Sequence, residues 1–187
     1  MTATRGKRPQ PPGIAKSDDV AAMIRVDHAG EYGAVRIYEG QLAVFSTRPQ
    51  AKKTAQAIAK MARQEQDHLK AFDTLINERH VRPTVLAPVW HLAGFALGAA
   101  TALMGEKAAM ACTAAVEDVI DEHYASQIAR IESDDDLKSR IEAFRADEIA
   151  HRDEALARGA EDAPGYRLLS AAIKSGCRLA IKLSERI

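Results

Sequence analysis

Residues 63–69 read Arg63-Gln64-Glu65-Gln66-Asp67-His68-Leu69, and residues 146–152 read Ala146-Asp147-Glu148-Ile149-Ala150-His151-Arg152. Each stretch carries one Glu-x-x-His motif, and the two motifs lie 83 residues apart. A glutamate and a histidine three apart share one helix face, so both can reach one ion. Each motif also follows a lone glutamate: Glu31 lies 34 residues before Glu65, and Glu117 lies 31 before Glu148. The chain therefore writes Glu, then Glu-x-x-His, twice. On helices this is the ligand set of a carboxylate-bridged two-metal site inside a four-helix bundle.

The surrounding pattern supports helices. Apolar residues recur at i, i+3, i+4, and alternating strand-like runs are missing. Ser17-Asp18-Asp19 offers a cap for a helix running to about Ser46, which Arg48-Pro49 breaks. A second helix is expected over about 50–78. His80 to Pro88 reads as a connection, followed by a third helical stretch over about 89–131, with an interruption near Gly105 left open. Ser133-Asp134 caps a fourth helix ending at Gly159, and Pro164 starts a last one. The expected fold is all-α, a four-helix bundle with an additional C-terminal helix over residues 17–187. A basic, proline-rich arm over residues 1–16 precedes it. No apolar run there resembles a secretory signal.

Each ligand candidate falls near the middle of its expected helix, on an apolar stripe. Ile24, Val35, Tyr38 and Leu42 share the Glu31 side; Ile58, Met61, Phe72 and Leu75 share that of Glu65. Met110, Ile120 and Tyr124 accompany Glu117, and Ile141 and Phe144 accompany Glu148. An unpaired carboxylate on such a stripe is costly, and a dication resolves the cost. Nitrogen and oxygen ligands in this number suit iron or manganese, whereas zinc prefers tetrahedral nitrogen or sulfur.

Composition narrows the class. With 47% hydrophobic and 28% charged residues the chain is globular rather than disordered. A net charge of zero gives a nucleic-acid partner no electrostatic support. Cys112 and Cys177 lie in apolar helical patterns and read as buried free thiols of a reducing compartment, although they could pair.

Other residues carry two readings. Asp147 could accept the second imidazole N–H of a ligand histidine, or be a solvated acid; Gln64 occupies the matching place in the first half. Gly30 and Gly33 flank Glu31 in mid-helix, admitting either a ligand or a closely packed helix. Tyr124, seven residues after Glu117, lies on the same face as a proton or electron relay or as a core tyrosine. His123 points off that stripe. His28, His80 and His91 lack a spacing partner and are not expected as ligands.

Arg25-Val26-Asp27-His28-Ala29-Gly30-Glu31-Tyr32-Gly33-Ala34 is far more specific than Glu-x-x-His. Together with Glu65-Gln66-Asp67-His68-Leu69, Ala111-Cys112-Thr113-Ala114-Ala115-Val116-Glu117 and Asp147-Glu148-Ile149-Ala150-His151, it resembles the demethoxyubiquinone hydroxylase family of ubiquinone biosynthesis. The likeness covers about residues 19–185. The resemblance implies a ferritin-like di-iron monooxygenase with two iron ions held by Glu31, Glu65, His68, Glu117, Glu148 and His151. It implies a 2-polyprenyl-3-methyl-6-methoxy-1,4-benzoquinone substrate, one oxygen of O₂ entering the ring and the other leaving as water. It also implies reduction by NADH, with His123 and Tyr124 resembling a pair implicated near electron delivery. No Gly-x-Gly-x-x-Gly fingerprint follows a strand here, so NADH either binds an irregular surface or is replaced by a separate reductase.

A polyprenyl substrate lives in a bilayer. Residues 83–105 carry no charged side chain, which is long enough to span. Glu106 and Lys107 follow, however, and the same stretch must deliver Glu117 to a bundle interior. A helix lining a quinone channel and dipping into the interface is therefore expected, with a buried bundle helix as the alternative. Lys174, Arg178, Lys182 and Arg186 recur every four residues, suiting either anionic lipid headgroups or a solvated face. The expected localisation is peripheral: the cytoplasmic face of the plasma membrane in a bacterium, or the matrix face of the inner membrane in a mitochondrion. A homodimer or a lipid-binding accessory protein of the same pathway is the expected partner. Competing readings are a ferritin-like iron-oxidising or storage protein, a manganese catalase and another di-iron hydroxylase.

Overall fold

A computed structural model describes residues 17–187, with side chains from residue 19 onward. The expected arm over residues 1–16 lies outside the described residues, as do the side chains of Ser17 and Asp18 expected to cap the first helix. Six helices follow: α1 Ser17–Phe45, α2 Lys52–Glu78, α3 Ala87–Leu103, α4 Glu106–Ile128, α5 Asp135–Ala157 and α6 Tyr166–Ser184. Short 3-10 turns at Pro49–Ala51 and Ala160–Asp162 lead into α2 and out of α5. There is no strand among the described residues.

The expected third helix is two helices. Gly105 adopts φ +120°, a conformation that L side chains rarely take, and its carbonyl accepts the Ala109 N–H at 3.0 Å to start α4. Glu117 thus lies on α4, and two helices, not one, flank the four that carry the glutamates and histidines. The bundle consists of α1, α2, α4 and α5. Helix α3 packs on α1, and α6 packs on α4. The molecule is therefore two three-helix units, α1–α3 and α4–α6, each with a lone glutamate, a Glu-x-x-His pair and a covering helix.

Glycine lets α3 approach α1 closely. A Cβ at Gly98 would sit 1.9 Å from the Ile37 carbonyl oxygen, and one at Gly40 would sit 2.2 Å from that of Phe95. At the start of α5, Asp134 accepts the Leu137 N–H at 3.1 Å and pairs with Arg79 at the end of α2. Two apolar clusters fill the bundle. One holds Tyr38, Phe45, Ile58, Met61 and Met110; the other holds Ile24, Phe72, Leu75, Tyr124 and Ile141. On α1, α2 and α4 the glutamates fall between the members of these clusters, so the polar layer is sealed above and below by core.

Candidate metal centre

The structure brings all six singled-out residues together. Glu31, Glu65, His68 and Glu148 place ligand atoms within 4.8 Å of one another, and so do Glu65, Glu117, Glu148 and His151. Both groups are buried and both contain Glu65 and Glu148. These two glutamates each address both histidines with opposite oxygens. Glu65 lies 3.9 Å from His68 Nδ1 through Oε2 and 2.9 Å from His151 Nδ1 through Oε1. Glu148 lies 3.2 Å from His68 Nδ1 through Oε1 and 3.6 Å from His151 Nδ1 through Oε2. The glutamates inside the motifs therefore belong to both ligand groups. Glu31 belongs to one group only and Glu117 to the other only.

The donor set fits metal. Glu31 Oε2, Glu117 Oε2, both oxygens of Glu65 and Glu148, and Nδ1 of both histidines are buried without a hydrogen-bond partner. Buried polar atoms are otherwise almost always paired, so eight orphans converging on one layer call for cations. Four carboxylates also match the charge of two dications. Burial pushes Glu65, Glu117 and Glu148 above the usual carboxylate range, and neighbouring carboxylates add to this. Burial alone would lower His68, but the Glu148 and Glu31 carboxylates facing it raise it to about 11. Burial lowers His151.

The outward nitrogens of the histidines are held across the bundle. His68 Nε2 on α2 meets Asp147 Oδ2 on α5 at 3.1 Å, and His151 Nε2 on α5 meets Gln64 Oε1 on α2 at 3.3 Å. Such outer contacts fix a ligand histidine's tautomer and ring orientation. Gln64 and Asp147 are themselves joined at 3.3 Å. One histidine therefore leans on a carboxylate and the other on an amide.

Two tyrosines complete the cross-over. Tyr38 on α1 donates to Glu117 Oε1 on α4 at 2.6 Å, and Tyr124 on α4 donates to Glu31 Oε1 on α1. Burial raises both phenols well above 10, so both remain donors at neutral pH. Tyr124 thus touches the centre, whereas Tyr38, read from sequence only as part of an apolar stripe, is its counterpart. The signal lies in the repeat: an offset of 86 residues relates Asp27, Glu31, Tyr38 and Gln41 to Thr113, Glu117, Tyr124 and Gln127. Gln127 donates to Asp27 at 2.8 Å, as Gln41 approaches Thr113 at 3.5 Å. His123 breaks the repeat, replacing the Ile37 of the first half. It bonds the buried Asp27 at 3.2 Å and does not join the ligand clusters. Nor do the other histidines: His28 pairs with Asp73 at 2.9 Å, and His91 with the Tyr32 hydroxyl at 2.6 Å.

Beside the centre, α1, α3, α4 and α6 line a cavity of about 620 Å³ that opens to the surface. Its walls are almost wholly apolar, including Ile37, Leu97, Ile120 and Ile173. Gly30 and Val116, the chain neighbours of Glu31 and Glu117, form part of it. Helix α3 lines this cavity through Trp90, Ala93, Gly94 and Leu97.

A sequence-family profile described as ubiquinone biosynthesis protein COQ7 matches residues 18–184. The chain belongs to the COQ7 family. It is 53% identical over 166 residues to the 3-demethoxyubiquinol 3-hydroxylase of Rhodospirillum rubrum, covering 88% of this chain and 77% of that protein. It is 50% identical over 173 residues to the NADPH-dependent 3-demethoxyubiquinone 3-hydroxylase, mitochondrial, of Homo sapiens, covering 90% and 78%. The 5-demethoxyubiquinone hydroxylase, mitochondrial, of Saccharomyces cerevisiae is 40% identical over 182 residues, covering 88% and 77%. Membership in the COQ7 family and these relatives bear out the expected class, a hydroxylase of ubiquinone biosynthesis.

No described helix is long and apolar enough to cross a membrane. The expected basic stripe on α6 is half neutralised: Lys174 pairs with Asp118, and Arg178 with Glu122 at 2.9 Å. Lys182 and Arg186 are exposed. Both thiols are free; Cys112 is buried and Cys177 partly so.

Proposed function

We propose that the chain hydroxylates the ring of a demethoxyubiquinone, 2-polyprenyl-3-methyl-6-methoxy-1,4-benzoquinone, using O₂ and a reduced nicotinamide. The observation that carries this reading is the apolar cavity laid against the chain neighbours of Glu31 and Glu117. An isoprenoid quinone needs an apolar passage ending at the reactive centre, and a storage protein has no use for one. The reaction balances as quinone ring C–H plus O₂, NAD(P)H and a proton giving ring C–OH, NAD(P)⁺ and water. The family resemblance implies NADH, whereas the human relative is named NADPH-dependent; both donors, and a separate reductase, enter the test.

The residues divide the work. Glu31, Glu65, His68, Glu117, Glu148 and His151 would hold two iron ions, which would supply the electrons for O₂ activation when bound. Asp147 and Gln64 hold the imidazoles in the tautomer that leaves Nδ1 free. Tyr38 and Tyr124 hold the terminal carboxylates and keep a proton at each phenol oxygen. His123, next to Tyr124 in the chain and bonded to the buried Asp27, serves proton or electron delivery. The apolar walls exclude water from the ring.

Membrane contact is part of the proposal. Val89 and Leu92 on α3 and Leu168, Leu179 and Leu183 on α6 are exposed on two of the helices that line the cavity, an arrangement that suits shallow insertion at a bilayer surface. The protein is then peripheral, on the cytoplasmic face of the plasma membrane or the matrix face of the inner mitochondrial membrane. A second copy or a lipid-binding accessory protein of the pathway covers the same face in the absence of lipid.

The test is iron-reconstituted protein incubated with O₂, a short-chain demethoxyubiquinone and NADH or NADPH. A product one oxygen heavier, absent with Glu148→Ala, is expected. Iron oxidation without any quinone product, with either donor or a chemical reductant, would favour the ferritin-like storage reading.

A further inference from the structure

The helical glycines of this protein fall into two kinds. A Cβ on Gly40, Gly94 or Gly98 would come within 2.2, 2.9 or 1.9 Å of a backbone oxygen across the α1–α3 contact. These glycines are packing devices. A Cβ on Gly30, Gly33 or Gly176 would meet nothing within 4 Å. All three of the latter line the apolar cavity, Gly30 and Gly33 from α1 and Gly176 from α6. Neither a tight helix crossing nor a positive φ accounts for them, since only Gly105, Gly159 and Gly165 have positive φ among the described glycines. Glycine is also a poorer helix former than alanine, so at these sites it weakens the helices that carry Glu31 and the cavity wall.

We infer that Gly30 and Gly33 are specificity-determining residues for the quinone ring. Their missing side chains widen the cavity along one face of α1, next to Glu31 in the chain, and Gly176 widens it from α6. This rests on the proposed substrate. The ring must come nearest the centre, and Gly30 and Gly33 flank the terminal ligand Glu31 in the chain. A flexible isoprenoid tail can repack around the Leu97 and Ile173 walls. A flat, substituted ring cannot, so room for its methyl and methoxy groups has to be built in.

Trp90 makes a direct test available. It is the one tryptophan of the chain and it lines the cavity. A quinone beside an indole quenches its fluorescence, so binding is read without turnover. Metal-loaded wild type, Gly30→Ala and Gly33→Ala, with no reductant present, are titrated with a short-chain demethoxyubiquinone, and each is melted. The expected result is a Kd raised about 10-fold or more in both variants, because a methyl group overpacks the ring's space. Their Tm should rise by about 2–4 °C, because alanine stabilises the helix. Equal quinone affinity in variants and wild type would overturn the inference while leaving the substrate standing. Weaker binding with a lowered Tm would overturn it too, by showing that these glycines serve packing. A wild type that gives no quenching would overturn the substrate reading and this inference with it.

Discussion

The Tyr38 hydroxyl on α1 donates to the Glu117 carboxylate on α4 at 2.6 Å, so each half of the molecule anchors the terminal glutamate of the other. Tyr124 and Glu31 make the reciprocal contact. Removing either hydroxyl leaves a buried carboxylate oxygen unsatisfied, at a cost of about 1–3 kcal/mol. Tyr38→Phe is expected to weaken metal binding by about 10-fold, read by chelator competition, with helicity unchanged. Unchanged metal affinity would show that Tyr38 is only a core side chain.

The histidine supports differ in charge, and substitution should expose this. Asp147→Asn removes the anionic acceptor from His68 Nε2 but can keep a hydrogen bond. Loss of such outer contacts typically costs about 10–100-fold in metal affinity or activity. Asp147→Asn is expected to fall at the low end of that range and Asp147→Ala at the high end. Equal affinity for wild type and Asp147→Ala would remove Asp147 from the account.

Metal removal should change the pH dependence of stability. Burial raises Glu65, Glu117 and Glu148 in the fold, so the metal-free protein is stabilised by their protonation. That contribution is full below the unfolded carboxylate pKa of about 4.3 and is lost as pH rises through the raised values. His68, raised to about 11, loses its contribution in the same direction but at much higher pH. Asp134, lowered by Arg79, acts oppositely and loses stability only as pH falls through its folded pKa. Bound ions replace the carboxylate protons and cancel the trend. The Tm gap between metal-loaded and chelator-treated protein is thus expected to widen from pH 5 to pH 8. Parallel curves would contradict the buried-carboxylate account.

The exposed apolar side chains of α3 and α6 give a surface prediction. Leu92→Ser together with Leu179→Ser should reduce sedimentation with anionic liposomes, because both side chains are exposed and neither supports the core. Lys182→Glu with Arg186→Glu should weaken the same binding more at low salt than at high salt. Lys174→Ala should have little effect, since that lysine already pairs with Asp118. Unaltered sedimentation in all three would remove the bilayer from the proposal.

How much was legible in advance depended on range. The four ligand helices and the six converging residues follow from local periodicity and motif spacing, which a sequence displays directly. The split at Gly105 was visible only as an ambiguity, because a glycine inside a helical pattern does not announce its φ. Tyr38 was placed on the correct face, yet its partner Glu117 is 79 residues away and belongs to tertiary structure. The neutralisation of Lys174 and Arg178 was missed for the same reason: Asp118 and Glu122 lie on α4, 56 residues earlier in the chain. The two readings of Gly30 and Gly33 separate only once the open space beside them is seen.

The most direct measurement of the central claim is the fate of labelled oxygen. Iron-reconstituted protein is supplied with ¹⁸O₂, a reduced nicotinamide and a short-chain demethoxyubiquinone, and the quinone is analysed by mass spectrometry. The account predicts one ¹⁸O in the ring product, and none with Glu65→Ala, which removes a residue common to both ligand groups. A product carrying solvent oxygen, or a labelled product that persists undiminished in Glu65→Ala, would contradict it.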